Sequence, residues 1–288
     1  MPTMNRIILT CKYFAVIILI LIPPELIYSS GHGPVYALAT PTLGRGEVSF
    51  DAAFMTLRQE DGSSPMLKYL WGYGITERVQ FAISTHSPID SAPQPARTRG
   101  SSMMQGNGDI EGFIYWRFYS NAFDIGKRFD ITTYLSGTIP TEDTRGGVKV
   151  GNSLHAALVA GYASRTLYFW LGGGYQYYFE KNNDRLGELP YMTAAFGYRP
   201  PLFKRDYPRP DWRIFIESKA EFPGRNISGG DPEMNTGGTK YLVGPTVLGL
   251  YGAWGISGGF LFPLYQDLNG AQPEENFRFM VNLTYWIH

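Results

Sequence analysis

Three charged residues at alternating positions give this sequence its clearest chemical signal. Glu217, Lys219 and Glu221 are separated by single residues, and residues at that spacing point to the same face of a β-strand. Two carboxylates and an ammonium group on one face can pair with opposite charges on neighbouring strands, or select ions along a water-filled path. The spacing therefore predicts a charged face on a strand of a sheet.

The opposite face of the same segment is apolar. Ile214 and Ile216 alternate with the charged side chains, and the segment 127–138 repeats the pattern with Phe129 opposite Arg128. A charge that faces the middle of a bilayer costs about 2–4 kcal/mol. We therefore expect the apolar faces to contact lipid and the charged faces to line a lumen.

Twelve charged residues are predicted to face this lumen. They are Glu47, Asp51, Arg78, Glu111, Arg117, Arg128, Asp130, Arg213, Glu217, Lys219, Glu221 and Arg278. The set contains six residues of each sign. Two alternatives stay open for it: a narrow channel with local selectivity, or a largely closed interior in which ion pairs satisfy one another.

Alternation with a period of two recurs along most of the chain and defines the elements that position these charges. The segments predicted as strands are 46–58, 66–74, 77–85, 109–120, 127–138, 153–163, 166–180, 190–198, 212–222, 240–251, 254–265 and 277–287. The prediction is an all-β, transmembrane antiparallel up-and-down β-barrel of about twelve strands.

The predicted connections mostly alternate in length, and the exceptions are 59–65, 121–126 and 199–211. The long ones are rich in Gly, Asp, Asn and Pro and cover 87–108, 139–152, 181–189, 223–239 and 266–276, whereas 75–76, 164–165 and 252–253 are tight. Long connections outside and short ones inside are typical of bacterial outer-membrane barrels. The predicted location is therefore the bacterial outer membrane.

Composition is consistent with this fold and excludes one class of partner. Aromatic residues make up 15% of the chain, which also contains 34 glycines, as expected for a sheet with many turns and aromatic belts. The 25 basic residues balance the 25 acidic residues, so no general attraction to nucleic acid is expected. The expected partners are outer-membrane lipid, a small-molecule solute and the barrel insertion machinery.

The amino terminus resembles a secretory signal. Arg6 and Lys12 precede an apolar stretch at 13–22, which ends at Pro23 and, at about ten residues, is too short to span a bilayer as a helix. The prediction is a signal peptide at 1–31, a periplasmic N-terminal segment at 32–45 and an outer-membrane β-barrel at 46–288. Cleavage is expected after the small residues that end at Gly31, with Ala37 as the second candidate site, and an uncleaved membrane anchor is the alternative.

Five aromatic residues are also predicted to face inward, where they could line a path for flat apolar solutes or fill space. They are Tyr115, Tyr134, Tyr168, Trp170 and Tyr178.

No residue pattern predicts an enzyme. Ser153 and His155 share a face, but by their phase it is the lumen face, away from lipid, so a lipid-acting hydrolase is the less favoured alternative. The four histidines are scattered without the spacing of metal ligands. We predict no catalytic residue, no metal site and no cofactor.

Several short motifs in a fixed order resemble a known family. They are Gly33-Pro-Val-Tyr-Ala-Leu-Ala-Thr-Pro-Thr-Leu-Gly44, Tyr73-Gly-Ile-Thr-Glu-Arg-Val79, Gly108-Asp-Ile-Glu-Gly-Phe-Ile-Tyr-Trp-Arg-Phe118 and Gly259-Phe-Leu-Phe-Pro-Leu-Tyr265. The chain resembles the outer-membrane barrel family named for the meta-pathway of phenol degradation. The resemblance implies a channel for hydrophobic or aromatic compounds and implies no catalytic residues. Our leading hypothesis is an outer-membrane channel that passes small solutes, including hydrophobic or aromatic compounds, by passive diffusion. The alternative is a closed structural or surface-binding barrel, with 87–108 as its recognition loop.

Overall fold

The computed structural model describes residues 33–89, 109–204 and 209–287. Its strands are β1 (Val48–Gln59), β2 (Gly62–Thr76), β3 (Val79–Pro88), β4 (Ile110–Asp124), β5 (Lys127–Ile139), β6 (Thr144–Arg145), β7 (Val148–Lys149), β8 (Ser153–Ala163), β9 (Leu167–Tyr178), β10 (Leu189–Tyr198), β11 (Asp211–Glu221), β12 (Ile227–Ser228), β13 (Asp231–Pro232), β14 (Gly238–Tyr251), β15 (Trp254–Leu268) and β16 (Glu275–Ile287). A short 3-10 helix covers Pro201–Phe203. No helix in the described ranges is long and apolar enough to cross a membrane.

The twelve long strands form one closed antiparallel barrel, and β6–β7 and β12–β13 are two small hairpins in its connections. The barrel closes where β1 pairs with β16, in a register that runs from Val48 opposite Ile287 to Arg58 opposite Phe277. Closure gives every barrel strand a hydrogen-bonding partner on both sides. A sheet in lipid needs this, because no water is available there for unpaired backbone N–H and C=O groups. The predicted transmembrane up-and-down barrel of about twelve strands is confirmed.

The two faces of the sheet differ as the alternation predicts. On β11, Ile214 is 43% exposed and Ile216 is 54% exposed, whereas Phe215 between them is 1% exposed. The five predicted inward aromatic residues are all buried. Apolar side chains exposed on the outside of a closed barrel form the surface that meets lipid.

Most long and short connections lie at opposite ends of the barrel, with two exceptions: the short turn 60–61 lies at the long-connection end, and the connection 199–210 lies at the short-turn end. The short turns at 77–78, 125–126, 164–166 and 252–253 share one end with the beginning of β1 and the end of β16, and the connections at 89–109, 140–152, 179–188, 222–237 and 269–274 lie at the other end. Bacterial outer-membrane barrels have short periplasmic turns and longer extracellular loops, so the long-connection end is the outer end. Most of the candidate recognition loop at 87–108 and the whole predicted signal peptide lie outside the described residues.

The outer connections pack against one another. Val148, Val150, Tyr178 and Leu186 form a small buried apolar cluster. The carboxylate of Asp184 accepts the backbone N–H groups of Lys149 at 3.0 Å and Gly229 at 2.7 Å. Those two hydrogen bonds lower the pKa of Asp184, because they stabilise its charged form. One carboxylate thus joins three connections into what we call the outer cap.

Candidate functional site

Residues 33–44, which we call the plug segment, lie inside the barrel. Val35, Tyr36, Ala37 and Leu38 are almost completely buried, and they belong to the same apolar cluster as inward residues of the barrel wall. The prediction of a periplasmic segment at 32–45 is therefore wrong for these residues. The plug segment shows no strand or helix periodicity, so it resembles a connection in sequence, but its small apolar side chains fit the lumen.

Glu217 on β11 holds the middle of the plug segment. Its carboxylate accepts three consecutive backbone N–H groups, from Val35 at 2.7 Å, Tyr36 at 2.6 Å and Ala37 at 2.7 Å. The hydroxyl of Thr246 on β14 also donates to Glu217. Hydrogen bonds to an ionised acceptor are about twice as strong as neutral ones, so this side chain fixes both the position and the direction of the plug segment.

Other inward side chains hold the rest of the plug segment. The N–H of Leu38 donates to the hydroxyl of Thr193 at 3.1 Å, and the N–H of Leu43 donates to Gln80 at 2.9 Å. The carbonyl of Thr40 accepts the hydroxyl of Thr132 at 2.7 Å. The plug segment is therefore tied to β3, β5, β10 and β11, across much of the barrel circumference.

A buried ion-pair network lies further toward the outer end. Lys219 contacts Glu221 at 2.6 Å, and Glu221 receives two hydrogen bonds from Arg278 at 2.9 and 2.6 Å. Arg278 also pairs with Glu275, which contacts Lys240 at 3.1 Å. Each of these side chains is at most 5% exposed. The network joins β11, β14 and β16 across the interior.

A second polar cluster lies on the facing wall, also toward the outer end. Ser136 donates to Glu111 at 2.5 Å and lies 3.3 Å from Nδ1 of His155, whose Nε2 lies 2.8 Å from the hydroxyl of Tyr191. All four residues are buried. The hydroxyl of Ser136 lies closer to the carboxylate of Glu111 than to the ring of His155. We therefore interpret Ser136 as a hydrogen-bonded bridge between these two side chains. Ser153 accepts a hydrogen bond from Gln176 at 2.9 Å.

The structure places the predicted lumen charges in different surroundings. Asp51 accepts hydrogen bonds from Asn282 at 3.0 Å and Thr284 at 2.5 Å. Glu47, just before β1, accepts the N–H of Gly44 at 2.7 Å. Glu111, Glu217, Lys219, Glu221 and Arg278 take part in the contacts described above. These seven residues are thus held by lumen side chains or by the plug segment.

Four more of the predicted charges lie toward the periplasmic end of the wall. Arg128 pairs with Asp130 at 2.6 Å, and Arg213 pairs with Asp211 at 3.1 Å. Arg117 donates to the carbonyl of Glu77 at 2.6 Å. They are part of a polar inner rim around the entrance of the plug segment.

Arg78, the last of the predicted lumen charges, lies on the turn between β2 and β3 and is exposed. The observed strand β3 begins at Val79, two residues after the start of the predicted strand 77–85. Sequence reasoning also missed Lys68, Lys240 and Glu275, which are all buried. Lys68 is in phase with the inward residues of β2 and could have been found. Lys240 and Glu275 lie at or beyond the predicted strand boundaries.

A small cavity remains beside the plug segment. A cavity of about 140 Å³ lies between residues such as Pro34 and Ala37 and the wall formed by Asp51, Leu70 and Asn282. Within the described ranges, no three potential metal-ligating side chains cluster together. The features of the lumen that bear on function are its polar wall, the plug segment bound to that wall and the small cavity beside it.

The barrel is similar to known outer-membrane channels. It superposes on the COG4313 outer membrane channel from Pseudomonas putida F1 with a TM-score of 0.57 and 14% identity, covering 86% of this chain and 98% of that one. It also matches the NanC porin with a TM-score of 0.53 and 7% identity, covering 82% and 98%. No protein-family model matches the chain, and no curated protein matches it in sequence. The likeness is one of fold and agrees with the outer-membrane location.

Proposed function

We propose that this protein is an outer-membrane channel that passes small solutes by passive diffusion once the plug segment leaves the lumen. The observation that carries the proposal is the way Glu217 holds Val35, Tyr36 and Ala37 through three backbone hydrogen bonds. The plug segment joins the barrel at β1 and is otherwise held by non-covalent contacts, namely the apolar packing of Val35–Leu38 and hydrogen bonds to the lumen wall. Water can replace the hydrogen bonds, at a cost of about 0.5–1.5 kcal/mol for each neutral one and about 1.5–3 kcal/mol for each one to Glu217, so we expect the plug segment to leave the lumen only rarely.

The wall behind the plug segment is suited to a hydrated path. Gln80, Thr132, Thr193 and Glu217 hold the plug segment, and the same side chains would face water after its withdrawal. A barrel interior that served only to hold the sheet could be filled with apolar side chains of the wall itself. A separate internal segment on a polar wall supports a removable occlusion.

The solutes we propose are hydrophobic or aromatic compounds. Tyr168 and Trp170 lie with ring centroids 5.7 Å apart, and Trp170 lies 6.0 Å from Phe215. The indole N–H of Trp170 donates to the hydroxyl of Thr40 at 3.1 Å, so withdrawal of the plug segment would uncover these rings. The proposal also draws on the resemblance to the barrel family named for the meta-pathway of phenol degradation.

The test compares the full barrel with a variant that lacks residues 34–43. In planar bilayers we expect rare openings from the full barrel and frequent, larger conductance steps from the deletion variant. In liposome swelling, the deletion variant should admit phenols faster than sugars of similar size. If the purified, folded deletion variant neither conducts nor admits solute, the channel proposal is wrong.

A closed barrel with a surface-binding role is the second candidate. The outer cap favours it, because three connections are joined through Asp184 into an ordered surface. Such a barrel would exclude both phenols and sugars with or without the plug segment, and the same liposome experiment therefore separates the two candidates.

A further inference from the structure

Two glycines lie directly opposite each other on the lipid-facing side of the barrel. Gly112 on β4 pairs with Gly137 on β5. Glycine inside a strand weakens it, because it has no side chain to pack and loses more conformational freedom on folding. A pair of glycines at one register position therefore needs a physical reason.

The usual reasons for strand glycines do not apply to this pair. A Cβ at Gly72 would come within 2.6 Å of Ser49, and one at Gly74 would collide with the backbone of Gly44. A Cβ at Gly112 would meet nothing nearer than Phe81 at 3.9 Å, and one at Gly137 nothing nearer than Leu154 at 3.8 Å. At the other described glycines of the barrel strands, apart from Gly62 at the start of β2, an added Cβ would lie within 3.0 Å of a neighbouring atom. The pair instead leaves a space open.

That space is an apolar groove of about 770 Å³ on the outside of the barrel. Gly112, Gly137 and Ala156 form its floor, and Ile83, Leu135 and Leu154 are among its walls. All three wall side chains are exposed. Gly112 lies two residues from the start of β4 and Gly137 two residues from the end of β5, so the groove lies toward the outer end, at the depth of the outer leaflet.

A cation lies at the rim of the groove. Tyr177 lines the groove, and the guanidinium carbon of Arg185 lies 5.5 Å from the centroid of its ring. The Arg185 side chain is 24% exposed and lies 3.8 Å from Glu188. Arg185 belongs to the connection that follows β9, at the level where lipid headgroups meet the outer end of the barrel. An apolar groove below a cation matches an acyl chain below a phosphate.

We propose that this groove is a binding site for one acyl chain of an outer-leaflet lipid, whose anionic headgroup meets Arg185. The groove is continuous with the surface that already faces lipid, so a lipid chain reaches it without crossing water. The site is independent of the proposed channel function, because it lies on the other side of the sheet from the lumen.

The main test fills the groove. Gly137→Leu and Gly112→Leu add an apolar side chain where there is room for one, and Ala194→Leu on the lipid-facing side of β10 is the matched control outside the groove. Each barrel is extracted from outer membranes in mild detergent and its retained lipid is measured by native mass spectrometry. We expect the two groove variants to retain roughly tenfold less lipid than the wild type and the control. Equal retention in all four proteins would overturn the proposal, as would a retained second barrel or a solute in place of lipid.

A second measurement needs no groove variant and decides the question if those variants fail to fold. The wild-type barrel is reconstituted in vesicles that contain phosphatidylglycerol or phosphatidylcholine with a diazirine in one acyl chain. We expect cross-links at Leu135 and Leu154 to exceed those at Met192 and Phe196, more strongly with phosphatidylglycerol, and we expect Arg185→Gln to remove the headgroup preference. Uniform labelling around the barrel would refute a specific site, and a headgroup preference that survives Arg185→Gln would refute the role of Arg185.

Discussion

Tyr36 donates its backbone N–H to the carboxylate of Glu217 at 2.6 Å, although the two residues are 181 positions apart in the sequence. This contact joins the segment before the first strand to the middle of the lumen wall. Because Val35 and Ala37 donate to the same carboxylate, a change at one side chain acts on three backbone groups at once.

Glu217→Gln should loosen the plug segment. The amide has one acceptor oxygen in place of two and presents an N–H₂ group to backbone donors, and each hydrogen bond to a charged group contributes about 1.5–3 kcal/mol. We expect the open probability in planar bilayers to rise by at least tenfold. Glu60→Gln, at an exposed turn position, is the control and should behave as the wild type. An unchanged open probability in the Glu217 variant would show that this carboxylate does not hold the lumen closed.

The burial of the plug segment can be measured directly by chemical labelling. Ala37 is 0% exposed, so a cysteine at this position, in a Cys11→Ser background, should react slowly with a charged thiol reagent in the folded barrel. Adding Glu217→Gln should accelerate labelling, because the segment then spends more time outside the lumen. Fast labelling of the single Ala37→Cys variant would contradict the observed position of the segment.

Arg278→Ala should destabilise the barrel strongly. Arg278 is paired with both Glu221 and Glu275, and removing one partner of a buried ion pair costs about 3–5 kcal/mol because charge is left uncompensated. Lys127→Ala is the matched control, since the Lys127–Asp124 pair is 46% and 53% exposed and exposed pairs contribute about 0–1 kcal/mol. Unfolding of both variants in urea with lipid vesicles measures the difference. Equal loss in the two variants would mean that the interior network is solvated.

Acid should loosen the outer cap through Asp184. Its pKa in the folded protein is lowered by the N–H groups of Gly229 and Lys149, so its contribution to stability is present above the unfolded pKa of about 3.9. That contribution is lost as the pH falls through the lower, folded pKa. We expect hydrogen exchange in 140–152 and 223–237 to accelerate over this acidic range.

Asp184→Asn should show the fast exchange of these two connections already at pH 7, whereas Asp231→Asn, at an exposed position, should not. Slow exchange in the Asp184 variant at pH 7 would show that the cap is held by its apolar cluster instead.

Much of the barrel wall could be predicted from local pattern, and most of its interior could not. The period of two gave β8 its observed bounds of Ser153–Ala163, because one face meets lipid along its whole length. Lys240 and Glu275 were not predicted to face the lumen, and Arg78 was placed on a strand although it lies on a turn. Alternation carries no information on where a turn begins. The plug segment was missed because its contacts with Glu217 are long-range and its own residues have no period.

The order of the strands has a consequence for assembly. The plug segment is joined directly to β1, and β1 has a free edge until β16, the last strand of the chain, pairs with it. The nascent sheet can therefore wrap around its own amino-terminal residues before it seals. Threading through a finished ring is not required, and a ribosomal product truncated before the last strand would lose the seam and the enclosure of its interior in the same step.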